Sequence, residues 1–263
     1  MEGSIMKRTM YALHSLLLIV TIAITAIPLT AAAEKSAAGH EWSYEGEHGP
    51  AHWGDVETDY AVCKTGRNQS PIDITGAVKA DLPPIQFDYK AAPLRIINNG
   101  HSIQVNYPEG SFIIVDGIQY QLVQFHFHHP SEEKIKGKSF DMVVHLVHKN
   151  AEGNLAVVAV LMRKGQANAL LKTLWEHLPK AEGKEVASAD VTINPMELLP
   201  AQRGYYTYTG SLTTPPCTEG VKWLVLKTPV EISDVQIDRF AHIYKHNARP
   251  VQPLDGRVVS ESP

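Results

Sequence analysis

The chain has 263 residues, 44 % hydrophobic and 20 % charged, with a formal net charge of −4 and a pI near 6.3. That length and balance suit one large folded domain, and no internal repeat or low-complexity tract points to a solenoid or a disordered protein. The mild negative charge excludes the broad basic surface of a nucleic-acid-binding protein and leaves the substrate class open.

In chain order, Lys7 and Arg8 precede an apolar stretch from Leu13 to Ile27, and Ala31-Ala32-Ala33 follows as a small-residue cleavage site. This is the pattern of a secretory signal peptide over residues 1–33, cleaved near Ala33, with a mature domain over 34–263 in the periplasm or outside the cell. Thr21, Thr25 and Pro28 interrupt the apolar stretch, which is short for a span of about twenty residues, so no stable membrane anchor is expected. Trp42 to Asp59 carries no periodicity and reads as an extended arm packed on the domain.

Short alternating or apolar runs then predict strands at residues 85–89, 94–98, 102–106, 112–115, 120–128, 142–147, 156–162, 205–209 and 221–227. Helical spacing is confined to 167–177, where Leu170, Leu171, Leu174 and Trp175 share a face, and to 233–244, opened by Ser233 as a cap. The fold class is therefore mostly β with minor helices, in a single domain.

The chemistry concentrates in Gln124-Phe125-His126-Phe127-His128 and in Val143-Val144-His145-Leu146-Val147-His148. Strand side chains alternate, so His126 and His128 share one face and Phe125 and Phe127 the other. His145 lies in a second alternating run, near enough in sequence to be an antiparallel neighbour. A single strand histidine is ordinarily a hydrogen-bonded polar residue. Three in register, with no cysteine or carboxylate among them, suit zinc with an open fourth position.

Further motifs carry a family resemblance. They are Arg67-Asn68-Gln69-Ser70-Pro71-Ile72-Asp73-Ile74, Asn98-Asn99-Gly100-His101, Ser131-Glu132, Gly210-Ser211-Leu212-Thr213-Thr214-Pro215-Pro216-Cys217 and Asn247-Ala248-Arg249-Pro250-Val251-Gln252-Pro253-Leu254. Together with the histidine runs, and in this order, they make the chain from about Trp42 to Arg257 similar to the α-class carbonic anhydrases of the bacterial, exported type. The resemblance implies a central twisted, largely antiparallel sheet with some parallel strands. It also implies Zn2+ on His126, His128 and His145, and reversible hydration of carbon dioxide to bicarbonate and a proton. Zinc on neutral imidazoles favours the hydroxide form of a bound water, an effect for which carbonic anhydrase is itself the standard example. A possible homodimer is an expectation of the same resemblance.

Residue by residue, the resemblance implies that Thr213 donates to a buried Glu132 and so can only accept from the attacking hydroxide, since a hydroxyl has one proton. Thr214 contacts substrate or product, and Val147, Val157, Leu212 and Trp223 form an apolar wall. His101 is the implied proton shuttle, with Tyr44 and Asn99 ordering the water between, and His40, His48 and His52 in the N-terminal arm are its competitors, ordinarily surface residues. Gln124 and Asn247 are implied supports of the metal ligands. Two cysteines in an exported chain suit a disulfide, with two free buried thiols as the alternative; the resemblance implies a bridge between Cys63 and Cys217. Relatives that keep the fold as non-catalytic binding proteins lose a zinc histidine, whereas all three are present here.

Two positions depart from the family. Its usual acid two residues before the third ligand is Val143, and the usual histidine after the buried glutamate is Glu133. Glu133 then has two placements: solvated at the head of a loop with Lys134, Lys136 and Lys138, or turned inward onto His145 in place of the missing acid.

Overall fold

The computed structural model describes residues 42–263, so the expected signal segment and His40 lie outside the described residues. The expected strands are all present. Those that build the site are β1 (Ala92–Asn98), β2 (Ile103–Asn106), β3 (Ile118–His128), β4 (Met142–Lys149), β5 (Leu155–Lys164), β6 (Val186–Ile193), β7 (Tyr205–Ser211) and β8 (Glu219–Leu226). They belong to a 13-stranded sheet in the order β6-β1-β2-β3-β4-β5-β8-β7, continued by Ser260–Glu261 and Val78–Lys79. Most neighbours are antiparallel, while β5 and β8 run parallel. The sheet is thus mixed and mainly antiparallel, as the fold class required.

Alternation along these strands separates two cores. Phe125, Phe127, Val144 and Leu146 face a large cluster completed by Leu170, Trp175 and Phe240 from the two helices. Val143, Val157, Leu161 and Trp223 face a second cluster on the other side of the sheet. Burial on both faces is why the central strands read as nearly continuous apolar runs.

The helices are α1 (Ala169–Glu176), whose first turn is capped by Asn168 accepting from the Leu171 N–H at 3.0 Å, and α2 (Asp234–Ala241), opened by a Ser233/Gln236 capping box. Both are shorter than their apolar pattern, because His177 and His242 already serve as caps. Strand β6 carried no clear signal. Its apolar residues are spaced by Ala, Ser and Asp, and a register shift between Ser188 and Thr192 breaks the pairing with β1.

The N-terminal arm corrects an expectation. Instead of an extended segment it holds a 3-10 turn at Gly46–His48 and a one-turn helix at Trp53–Val56, and runs at its end into a 3-10 turn at Thr58–Tyr60 and a second one-turn helix at Val62–Thr65. Four-residue elements are too short to show periodicity. What fixes them is packing: Trp53, Cys63 and Cys217 form a small core against Trp42, Tyr44 and Tyr60, and Cys63 is disulfide-bonded to Cys217 with an S–S distance of 2.04 Å. No helix among the described residues is long and apolar enough to cross a membrane.

Candidate metal centre

Strands β3 and β4 pair so that His126 lies directly opposite His145, while His128 stands opposite Val143. Directly opposite residues of an antiparallel pair share a sheet face, so the register brings the third imidazole to the two that alternation had already aligned. One ring nitrogen from each of His126, His128 and His145 lies within 4.8 Å of the others. His128 and His145 are buried and His126 is partly so.

The second nitrogen of every ring is occupied. His126 Nδ1 meets Gln124 Oε1 at 2.8 Å, His128 Nδ1 meets the Asn247 carbonyl at 2.7 Å, and His145 Nε2 meets Glu133 Oε1 at 3.0 Å. The nitrogens left to converge are Nε2 of His126, Nε2 of His128 and Nδ1 of His145. His128 Nε2 is buried without a hydrogen-bond partner, an arrangement that costs free energy unless something accepts its lone pair. Burial, then the neighbouring His145, hold His126 down to about 3, so its ring is neutral at neutral pH and has a lone pair to give. Three imidazoles whose tautomers are fixed from behind, each with its free nitrogen turned to a common point, fit a zinc ion.

Glu133 takes the inward placement. It is fully buried, and its carboxylate reaches His145 from the segment after β3. Val143 packs in the apolar cluster beside Val157 and offers no acceptor. Burial by itself would lower the His145 pKa, but Glu133 and then Glu132 outweigh it and raise the pKa. The two adjacent carboxylates therefore address opposite sides of one ring. Glu132 Oε2 lies 3.5 Å from His128 Nε2 and 3.8 Å from His145 Nδ1, beside the converging nitrogens.

Glu132 is buried, not a solvated loop charge. Its Oε1 accepts from the Arg249 N–H at 2.8 Å. Burial pushes its carboxyl up to about 7, against the opposing pull of His145, the Arg249 amide and the Thr213 hydroxyl. A divalent cation on the imidazoles would add to that pull. Thr213 is itself buried, on the loop held by the disulfide at Cys217. Arg249 ties its own segment to the N-terminal part, donating to Gln69 Oε1, the Ser70 carbonyl and the Cys63 carbonyl, and Gln69 Nε2 donates in turn to the Cys217 carbonyl at 3.0 Å.

Val157 and Trp223 belong to one apolar cluster with Val147 and Leu212 packed against it, and the Trp223 ring centroid lies 4.9 Å from that of His145. Thr214 is partly buried on the adjoining loop. On the opposite side, His101 follows the Asn98–Gly100 turn and its ring stacks on Trp42 at 3.7 Å between centroids. Asn99 Oδ1 accepts from the His101 and Ser102 amides, closing that turn. Asn247 donates to the His101 and Phe127 carbonyls, which ties the turn to β3. The Tyr44 hydroxyl is buried without a protein partner. Of the competing histidines in the arm, His52 is exposed.

Several residues at the site escaped the sequence reading. Gln104 and Asn106 alternate with Ile103 and Val105 in β2, and that polar side of an otherwise apolar strand was the signal. Arg249 carried a motif but no assigned role. Glu185, by contrast, gave no signal at all.

A family model described as eukaryotic-type carbonic anhydrase matches residues 48–263. The chain is 44 % identical over 236 residues to a carbonic anhydrase of Pectobacterium atrosepticum, covering 89 % of this chain and 96 % of the relative. It is 45 % identical over 244 residues to a carbonic anhydrase of Neisseria gonorrhoeae, covering 90 % and 96 %. Among solved structures, the α-carbonic anhydrase of Thermovibrio ammonificans in complex with the inhibitor sulfanilamide superimposes with a TM-score of 0.81 at 44 % identity, over 84 % of this chain and 98 % of that one.

Proposed function

The chain belongs to the eukaryotic-type carbonic anhydrase family and has carbonic anhydrase activity, and from that premise we propose that it works with zinc on His126, His128 and His145 and takes carbon dioxide and bicarbonate as its substrates. The observation that carries the reading is the convergence of three ring nitrogens whose partner nitrogens are all engaged. When bound, zinc supplies the Lewis acidity that makes a water nucleophilic at neutral pH.

The chain's own residues do the rest. Thr213 has one hydroxyl proton; giving it to Glu132 leaves only lone pairs for the attacking water, which fixes that water's orientation. Glu132 is held in place by the Arg249 N–H donating to its Oε1. Val147, Val157, Leu212 and Trp223 present an apolar surface to carbon dioxide, which has no proton to donate and little to gain from polar walls. Thr214 meets substrate or product at the loop edge. Glu133 fixes the angle and tautomer of His145, and Gln124 and the Asn247 carbonyl do the same for His126 and His128. His101 takes the proton outward, because an imidazole can both accept and release it near neutral pH.

Stopped-flow hydration of carbon dioxide, with zinc measured on the same sample, tests the reading. Stoichiometric zinc with fast hydration is expected; a folded, zinc-loaded protein without hydration would overturn it. Export to the periplasm or the medium is part of the same proposal, supported by the residue 1–33 pattern and by a disulfide that needs an oxidising compartment to persist. The mass of the exported protein should place its N-terminus near Ala33, and an intact Met1 would remove the signal peptide.

A further inference from the structure

A row of carboxamides runs from the His101 turn to the protein surface, and every link in it has a direction. Asn99 Oδ1 accepts from the His101 and Ser102 amides at 3.0 and 2.8 Å, and Asn99 Nδ2 donates to Gln104 Oε1 at 3.2 Å. Gln104 Nε2 donates to Asn106 Oδ1 at 2.6 Å, and Asn106 Nδ2 donates to Glu185 Oε2 at 2.5 Å. Glu185 Oε1 accepts from Arg95 Nε at 2.9 Å.

A carboxamide can present oxygen or nitrogen to a neighbour, so a chain of them has two opposite senses. Here both ends impose the same sense. Backbone N–H groups can only donate, and an ionised carboxylate can only accept. The Asn106 hydrogen bond lowers the Glu185 pKa most, burial opposes it, and Arg95 lowers it further, so the acceptor end is charged at neutral pH. In the pairing of β2 with β3, Gln104 lies opposite His126 and Asn106 opposite Gln124. The chain therefore occupies the sheet face of the metal centre. Asn99 spends both lone pairs on the turn and one N–H on Gln104, while Gln104 and Asn106 each spend one N–H and one lone pair within the chain and keep the others for water.

We propose that Glu185 is a remote positioning residue: by terminating the Asn99–Gln104–Asn106 chain as an acceptor, it fixes the donor and acceptor pattern that the polar wall offers to water between the metal centre and His101. This rests on His101 as the proton shuttle. Replacing Glu185 with a donor sets the two ends against each other, so that at some link two N–H groups or two oxygens must face. The wall loses its single pattern, while the metal ligands and the apolar wall are untouched.

The test compares Glu185→Lys, Glu185→Gln and His101→Ala with the parent, all as zinc-loaded full chains of checked melting temperature. Glu185→Lys is expected to lower turnover in dilute buffer roughly two- to tenfold, the effect of misdirecting about one hydrogen bond. Interconversion of carbon dioxide and bicarbonate at chemical equilibrium should stay unchanged, and added imidazole should restore turnover. Glu185→Gln keeps an acceptor and should remain near the parent, and Glu185→Lys placed on His101→Ala should cost nothing further. Asn106→Leu, which cuts the chain, should repeat the Glu185→Lys signature if the lysine variant does not fold. Parental turnover in folded Glu185→Lys or Asn106→Leu, with His101→Ala slow, overturns the proposal alone. So does a loss that also appears at chemical equilibrium and resists imidazole. Parental turnover in His101→Ala overturns the shuttle reading on which it stands.

Discussion

The half of the site proposed to hold metal and the half proposed to pass the proton outward are built on opposite terms. His128 and His145 are 1 % exposed, and each outer ring nitrogen meets a fixed acceptor within 3.0 Å. In the other half, Asn99 is exposed and His101 sits on a turn against Trp42. On the proposed reading a metal must stay, and the residues proposed to hold it are buried and held from behind. A proton must leave, and its proposed carrier sits near solvent, where both charge states are tolerable. The lesson is that burial separates the two tasks more cleanly than residue type does, since both halves use histidine.

The comparison breaks most sharply at the ligands. His126→Ala leaves two protein ligands, and hydration should fall to background with zinc lost in the same preparation; a zinc-free variant that still hydrates carbon dioxide would dissolve the distinction. Thr213→Ala should lower hydration about a hundredfold while zinc content stays at the parental level, because the lost bond orients the water without holding the metal. Zinc loss in that variant would move Thr213 into the metal-holding half.

Glu133→Ala should weaken zinc retention about 10- to 100-fold in competition with a chelator, the usual cost of removing a partner that orients a ligating histidine. Glu133→Gln, which keeps an acceptor, should recover part of it, and unchanged retention in both would make Glu133 a bystander. His101→Ala should act in the other half only. Turnover in dilute buffer should fall about tenfold and return with imidazole, while exchange at chemical equilibrium holds. The smallest effect on activity is expected from reducing Cys63–Cys217, which should cost about 2–5 kcal/mol of stability in a melting experiment and slow hydration through the Thr213 loop. An unchanged melting temperature would leave the Gln69 and Ser70 hydrogen bonds to Cys217 and Ser211 as the main tie to that loop.

Much of this was legible because strand alternation is a local property. His126 and His128 share a face by spacing alone, and Leu170, Leu171, Leu174 and Trp175 mark α1 in the same way. Motif order carried the resemblance, and with it Thr213, Glu132, the apolar wall and the disulfide. The one-turn helices in and beyond the arm had too few residues to show a period, and β6 had too few apolar ones. Glu133 had two placements in the sequence because a glutamate followed by lysines is ordinarily solvated.

By itself, then, the sequence determined which side chains alternate, where strands and helices fall, and that three imidazoles are available to one metal. Only the tertiary structure decided that His126 faces His145, that Glu133 turns inward where Val143 offers no acceptor, and that Asn106 reaches Glu185 79 positions away. The physical reason is that a strand's period is set by its own backbone, whereas its register is set by the partner it pairs with. The direction of a carboxamide is likewise set by whichever donor or acceptor the fold places beside it, and for Asn106 that acceptor is the Glu185 carboxylate.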